Sequence, residues 1–176
     1  MSYVSMIGVP RSDHNDPSGW IEYPMNVVAD SGGAVKGTGD VVDKAFWRRN
    51  GNNIDIRYYY RQTVAGTGGT GSYLFPLPPG FNADPTFYYK SGGVITDDGG
   101  RANIVGICRM GDTLSTSGPT INSGHVTLFS DRYMRLLNTN AITSFSSVGS
   151  AGFGYANGDL FYEFYASVVV QQFTIS

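Results

Sequence analysis

The chain has 176 residues, a mass of 19.0 kDa and a formal net charge of −2, enough for one well-packed domain and short for two. Lysine (Lys36, Lys44, Lys90), glutamate (Glu22, Glu163) and leucine are scarce, while tyrosine (12), phenylalanine (10) and glycine (24) are abundant, which excludes a mainly helical protein. The charge balance excludes the basic footprint of a nucleic-acid binder, and there is neither a basic-then-apolar leader nor an apolar run near the ~18 residues of a membrane span; the expected partners therefore include no nucleic acid and no membrane, and synthesis in a cytosol is expected.

In chain order, residues 1–33 read as an extended arm. Pro10, Pro17 and Pro24 bar long regular elements, and only Trp20 to Val27 alternates, at an edge position. Tyr3, Met6, Ile7, Trp20 and Tyr23 are too apolar for a solvated tail and are expected to dock on this domain or a neighbour. A knob domain, 34–176, follows. Val41 to Arg49 and Ile54 to Gln62 read as strands joined at Asn50-Gly51-Asn52, because Asn-Gly tolerates the positive φ of a tight hairpin turn. On the returning strand Ile54, Ile56, Tyr58 and Tyr60 share one face, and Asp55, Arg57, Tyr59 and Arg61 the other. Val64 to Ser72 reads as a flexible glycine loop; no lysine or helix follows to make it a phosphate loop. Further strands are predicted at Tyr73 to Gly80, Phe87 to Ile95, Ala102 to Met110, His125 to Phe129, Tyr133 to Leu137 and Leu160 to Phe173. Eight to ten strands with regular turn signals predict an all-β antiparallel sandwich.

Residues able to carry chemistry are few. His14 and His125 have no neighbouring acid or nucleophile in a recognisable arrangement, so no catalytic triad is predicted. Cys108 reads as a small core residue, and two histidines with one cysteine far apart make no zinc site. Asp97, Asp98 and Asp112 lack the dense acidic loop of a calcium site. No cofactor and no enzymatic activity are predicted. The last strand is more informative. Leu160, Tyr162, Phe164, Ala166 and Val168 alternate with Phe161, Glu163, Tyr165, Ser167 and Val169, so both of its faces are largely apolar. A strand of that kind must be covered twice, by the core on one side and by another subunit, or by loops or the arm, on the other. The subunit reading places Tyr58, Tyr60, Phe161 and Tyr165 at the interface.

Two stretches carry a resemblance. Val42-Asp43-Lys44-Ala45-Phe46-Trp47-Arg48-Arg49-Asn50-Gly51 with Ile54-Asp55-Ile56-Arg57-Tyr58, and Ala65 to Gly80 with its Tyr73-Leu74-Phe75-Pro76-Leu77-Pro78-Pro79-Gly80, resemble a hairpin, loop and strand of tailed-bacteriophage virion structural proteins. The likeness covers residues 36–81, is looser over 124–170 and does not include the arm. The family's closing Gly-Trp is replaced by Val170-Gln171-Gln172-Phe173. The resemblance implies the jelly roll of tumour-necrosis-factor and complement heads, associating as a homotrimer. It further implies a virion location, with the major capsid protein as partner of a decoration or cement protein. The alternative is the tip of a fibre that binds a host-surface glycan.

Overall fold

The computed structural model describes residues 19–31, 33–39, 41–96, 102–112, 120–138, 146–147 and 158–171. They form β1 (Ile21–Tyr23), β2 (Val28–Ser31), β3 (Val42–Asn50), β4 (Asn53–Gln62), β5 (Thr70–Pro76), β6 (Lys90–Ser91), β7 (Val94–Ile95), β8 (Ile104–Asp112), β9 (Thr120–Leu128), β10 (Tyr133–Asn138), β11 (Ser146–Ser147) and β12 (Leu160–Val169). One hydrogen-bonded path runs β1-β3-β4-β12-β8-β9-β10-β5-β2, with β11 beside β10; β6 and β7 form a separate hairpin. Every pairing in the path is antiparallel.

The path curls until its late strands lie over its early ones. Phe75 of β5 meets Tyr58 of β4 at 5.9 Å and Tyr162 and Phe164 of β12 at 6.0 and 5.6 Å between ring centroids, each edge-on, as ring quadrupoles prefer. The result is an all-β antiparallel sandwich of jelly-roll type whose two layers belong to one sheet. Residues beyond the strands draw the curl together. Val35 pairs with Thr67 and Thr38 with Val64 on one side, and Ala83 with Val170 on the other. Gly37 is required there, because a Cβ on it would sit 2.0 Å from the Val64 carbonyl oxygen.

Local chemistry explains the elements. The β3–β4 hairpin turns at Gly51, whose φ of +61° suits the Asn-Gly signal. The alternation read from β4 and β12 matches their burial: Ile54, Ile56, Tyr58, Tyr60, Leu160, Tyr162, Phe164, Ala166 and Val168 are all inside. Three expectations differ. Phe87 to Ile95 is not one strand, because Gly92 and Gly93 both take positive φ and fold it into the β6–β7 hairpin. The glycine stretch after β4 is tied into the sheet at Val64 and Thr67, and β5 begins at Thr70. β9 starts at Thr120, ahead of the expected His125, through Asn122, Ser123 and Gly124, residues of low strand propensity recruited by pairing with β8. Of the expected arm, Ile21–Tyr23 and Val28–Ser31 belong to the sheet, as β1 at one edge and β2 at the other. Tyr3, Met6 and Ile7 lie outside the described residues.

Removing the ring that bridges the layers should be costly: Phe75→Ala is expected to lower stability by about 3–5 kcal/mol, whereas Tyr59→Ala, on the solvent face of the same sheet, should cost less than about 1 kcal/mol, both read by denaturant unfolding.

Candidate functional site

The side of β3, β4, β12, β8 and β9 that faces away from the core can be mapped from strand register. One row across the sheet is Glu22, Phe46, Arg57, Tyr165, Ile107 and His125. The next is Lys44, Tyr59, Glu163, Arg109 and Ser123. Between them lies an open trough of about 740 Å³, a volume within the ordinary range of binding clefts. Its apolar groups are partly in solvent: Ile107 is 67 % exposed, Tyr59 40 % and Tyr165 38 %.

The charges along the trough are ordered unequally. Lys44 pairs with Glu22 at 2.6 Å and Arg109 with Glu163 at 3.8 Å, exposed ion pairs of little energetic weight. Arg48 instead reaches Asp55 at 3.1 Å, and that carboxylate is buried. It also accepts hydrogen bonds from Ser167 Oγ at 2.9 Å and Asn50 Nδ2 at 3.3 Å. Burial disfavours the charged carboxylate, but hydrogen bonds from Ser167, Arg48, Tyr165 and Asn50 outweigh it and hold Asp55 below its ordinary value of 3.8. Trp20 carries both the Arg48 and the Arg57 guanidinium over its ring, each 4.7 Å from the centroid, and Arg57 also lies 6.0 Å from the Tyr165 ring. Arg57 is thus fixed by two aromatic rings, and among the described residues no carboxylate pairs with it.

The residues expected at a subunit interface divide. Phe161 is half-buried and Tyr165 exposed, both on the outer face. Tyr58 and Tyr60 are assigned to the core, at 1 % and 0 % exposure, because they share a face of β4 with Ile54 and Ile56. Of the expected docking residues, Tyr23 is packed in the core and Trp20 lies on the outer face of the same domain. His14, Asp97 and Asp98 fall outside the described residues, and His125 stands at the end of the Arg57 row. Among the described residues no group of three or more His, Cys, Asp or Glu could hold a metal ion, and no helix is long and apolar enough to cross a membrane. Cys108 is buried, and burial pushes its thiol up to about 12. Sequence reasoning named Arg57 and Tyr59 only as one face of a strand and missed Phe46, Ile107 and Arg109 altogether, since three strands distant in sequence bring them together. No family model, no curated protein and no solved structure matches the chain.

Two measurements follow from this geometry. Because Asp55 has a depressed folded value, its stabilisation is present above the ordinary carboxylate value and is lost as pH falls through the lower folded one; Asp55→Asn should therefore flatten the acid limb of the stability profile below about pH 4 in denaturant melts. Cys108 should resist alkylation at pH 8 in the native protein and react fully once it is unfolded, as mass spectrometry would record.

Proposed function

We propose that this chain is a non-enzymatic structural protein of a tailed-bacteriophage virion, carried on the outer capsid as a homotrimer that cements the shell. The observation that carries the reading is the outer face of β12, where the half-buried Phe161 and the exposed Tyr165 lie beside Tyr59 and Ile107 as an aromatic and apolar surface that the described residues leave partly in solvent. The resemblance to virion proteins supplies the setting, and the residues that bear it are central to the fold. The Trp47-Arg48-Arg49 hairpin is β3–β4, and the Tyr73-Leu74-Phe75 strand is β5, whose Phe75 joins the layers.

A decoration trimer needs complementary surfaces rather than reactive groups. Binding only the assembled lattice, it stabilises that state by an amount set by its concentration relative to its dissociation constant. Three N-terminal segments per trimer, with Tyr3, Met6 and Ile7 as apolar anchors toward the major capsid protein, would raise one another's local concentration once the first is docked. Trp20, clasped by Arg48 and Arg57, would hold the point from which each segment departs. A second reading, the receptor-binding tip of a fibre, draws support from the same trough: rings beside a guanidinium suit a host-surface glycan.

Particles made without the protein should assemble but release DNA at lower temperature or under milder osmotic stress, with host adsorption little changed. Normal shell stability with failed adsorption would overturn the decoration reading in favour of the fibre tip.

A further inference from the structure

The β6–β7 hairpin, together with the turn that leads into it at residues 84–89, pairs outside the main sheet and presents large apolar groups to solvent. Phe87 is 65 % exposed, Tyr89 50 % and Val94 62 %. Exposed aromatics are usual on a mobile loop, but this hairpin is clamped. Asn103 holds the left-handed backbone conformation at φ 56°, and its side chain is fully engaged. Its Oδ1 accepts from the Tyr89 amide at 2.7 Å, and its Nδ2 donates to the Tyr89 and Thr96 carbonyls at 2.9 and 2.6 Å. Tyr88, between the two exposed aromatics, points inward and accepts a hydrogen bond from the Val169 amide at 2.6 Å. The protein therefore holds an apolar protrusion in a defined position.

An acid stands at its foot, where the Asp84 amide donates to the Val169 carbonyl at 2.9 Å beside the Ala83–Val170 bridge. Asp84, three residues before Phe87, accepts hydrogen bonds from the Thr86 amide and hydroxyl at 2.9 and 2.7 Å through a single oxygen, Oδ1. Those bonds, from the backbone first, and to a smaller degree the charge of Lys90 on β6 keep its carboxyl below the usual range and so ionised. The trough offers the complement: rings at Phe46, Tyr59 and Tyr165, the apolar Ile107, and Arg57, oriented by two rings and, among the described residues, paired with no carboxylate, Glu22 and Glu163 being taken by Lys44 and Arg109. The hairpin does not fill the trough of its own chain, since Phe87 is the most exposed of its aromatics.

We propose that the β6–β7 hairpin of one copy seats in the β3–β4–β12–β8 trough of a second copy, with Phe87 and Tyr89 against Tyr59, Tyr165 and Ile107 and with Asp84 facing Arg57. The contact uses two different surfaces of the chain, so it passes from copy to copy and closes as a ring when the rotation between copies allows. This inference rests on the oligomer of the proposed function and specifies its contact.

The decisive experiment is a mixing test by sedimentation, using two full-length variants altered only at exposed positions: Phe87→Ser with Tyr89→Ser, which removes the protrusion, and Ile107→Glu with Tyr165→Ser, which spoils the trough. Wild type should sediment as a multiple of its 19.0 kDa protomer, and each variant alone as a protomer. Their equimolar mixture should recover a species of twice the protomer mass, because one intact protrusion then meets one intact trough. A charge exchange gives a second reading with milder changes. Arg57→Glu and Asp84→Arg should each weaken assembly about tenfold, and the two together in one chain should restore it. If wild type assembles but both variants assemble equally well, or the mixture stays as protomers, or the charge exchange fails to restore, the hairpin–trough contact is overturned and the virion role stands. A wild-type protomer at micromolar concentration would overturn the trimer as well.

Discussion

Everything else in the molecule is arranged around a cluster of aromatic rings between the layers. Tyr58 and Tyr60 of β4 lie on one strand, Tyr162 and Phe164 of β12 on its neighbour, and Phe75 of β5 comes down on Tyr58, Tyr162 and Phe164 from the opposite layer. A single sheet has no intrinsic reason to fold back on itself; burying these rings supplies the reason. The two neighbouring strands set the rings in register, with Tyr60 opposite Tyr162 and Tyr58 opposite Phe164, so each pair contributes both cross-strand contact and core volume.

Three of the five rings are tyrosines, and that choice has a consequence at the margin of the core. The hydroxyl of Tyr58 donates to Asp43 Oδ1 at 3.1 Å, and that of Tyr60 donates to Gln62 Oε1 at 2.7 Å, which also accepts from the Gly37 amide. Lys36 lies over both rings, 5.8 and 5.5 Å from their centroids, and pairs with Asp43. The core therefore ends in a polar plug built from the segment between β2 and β3, the same segment that closes the curl through its bridges to residues 64 and 67. Buried hydroxyls without partners would cost about 1–3 kcal/mol each, so the plug makes the aromatic core tolerable as well as closed.

Alternation then dictates what the other side must be. With the even positions of β12 committed to the core, its odd positions face outward, and Phe161 and Tyr165 are presented whether or not a single chain can cover them. The Arg48–Trp20–Arg57 stack and the buried Asp55 stiffen one end of that face. A trough stiffened at one end and a clamped protrusion on one chain suit association without rearrangement. The virion role proposed above uses the protein as such a rigid, two-surfaced part.

Period-2 alternation, the Asn-Gly turn and the want of helix formers were legible one residue after another, so the all-β class, the β3–β4 hairpin and the division of β4 and β12 into two faces could be read from sequence. So could the burial of Cys108 among apolar neighbours. Alternation shows that two sets of side chains part company but not which set meets the core; for Tyr58 packing against Phe75, and for Tyr60 stacking on Tyr58 and Tyr162, decided it. The trough was illegible for a related reason. Phe46, Arg57, Tyr165 and Ile107 stand side by side only because β3, β4, β12 and β8 pair in that order and register, and the free energy that selects the pairing is spread over the whole curled sheet rather than written in any one strand.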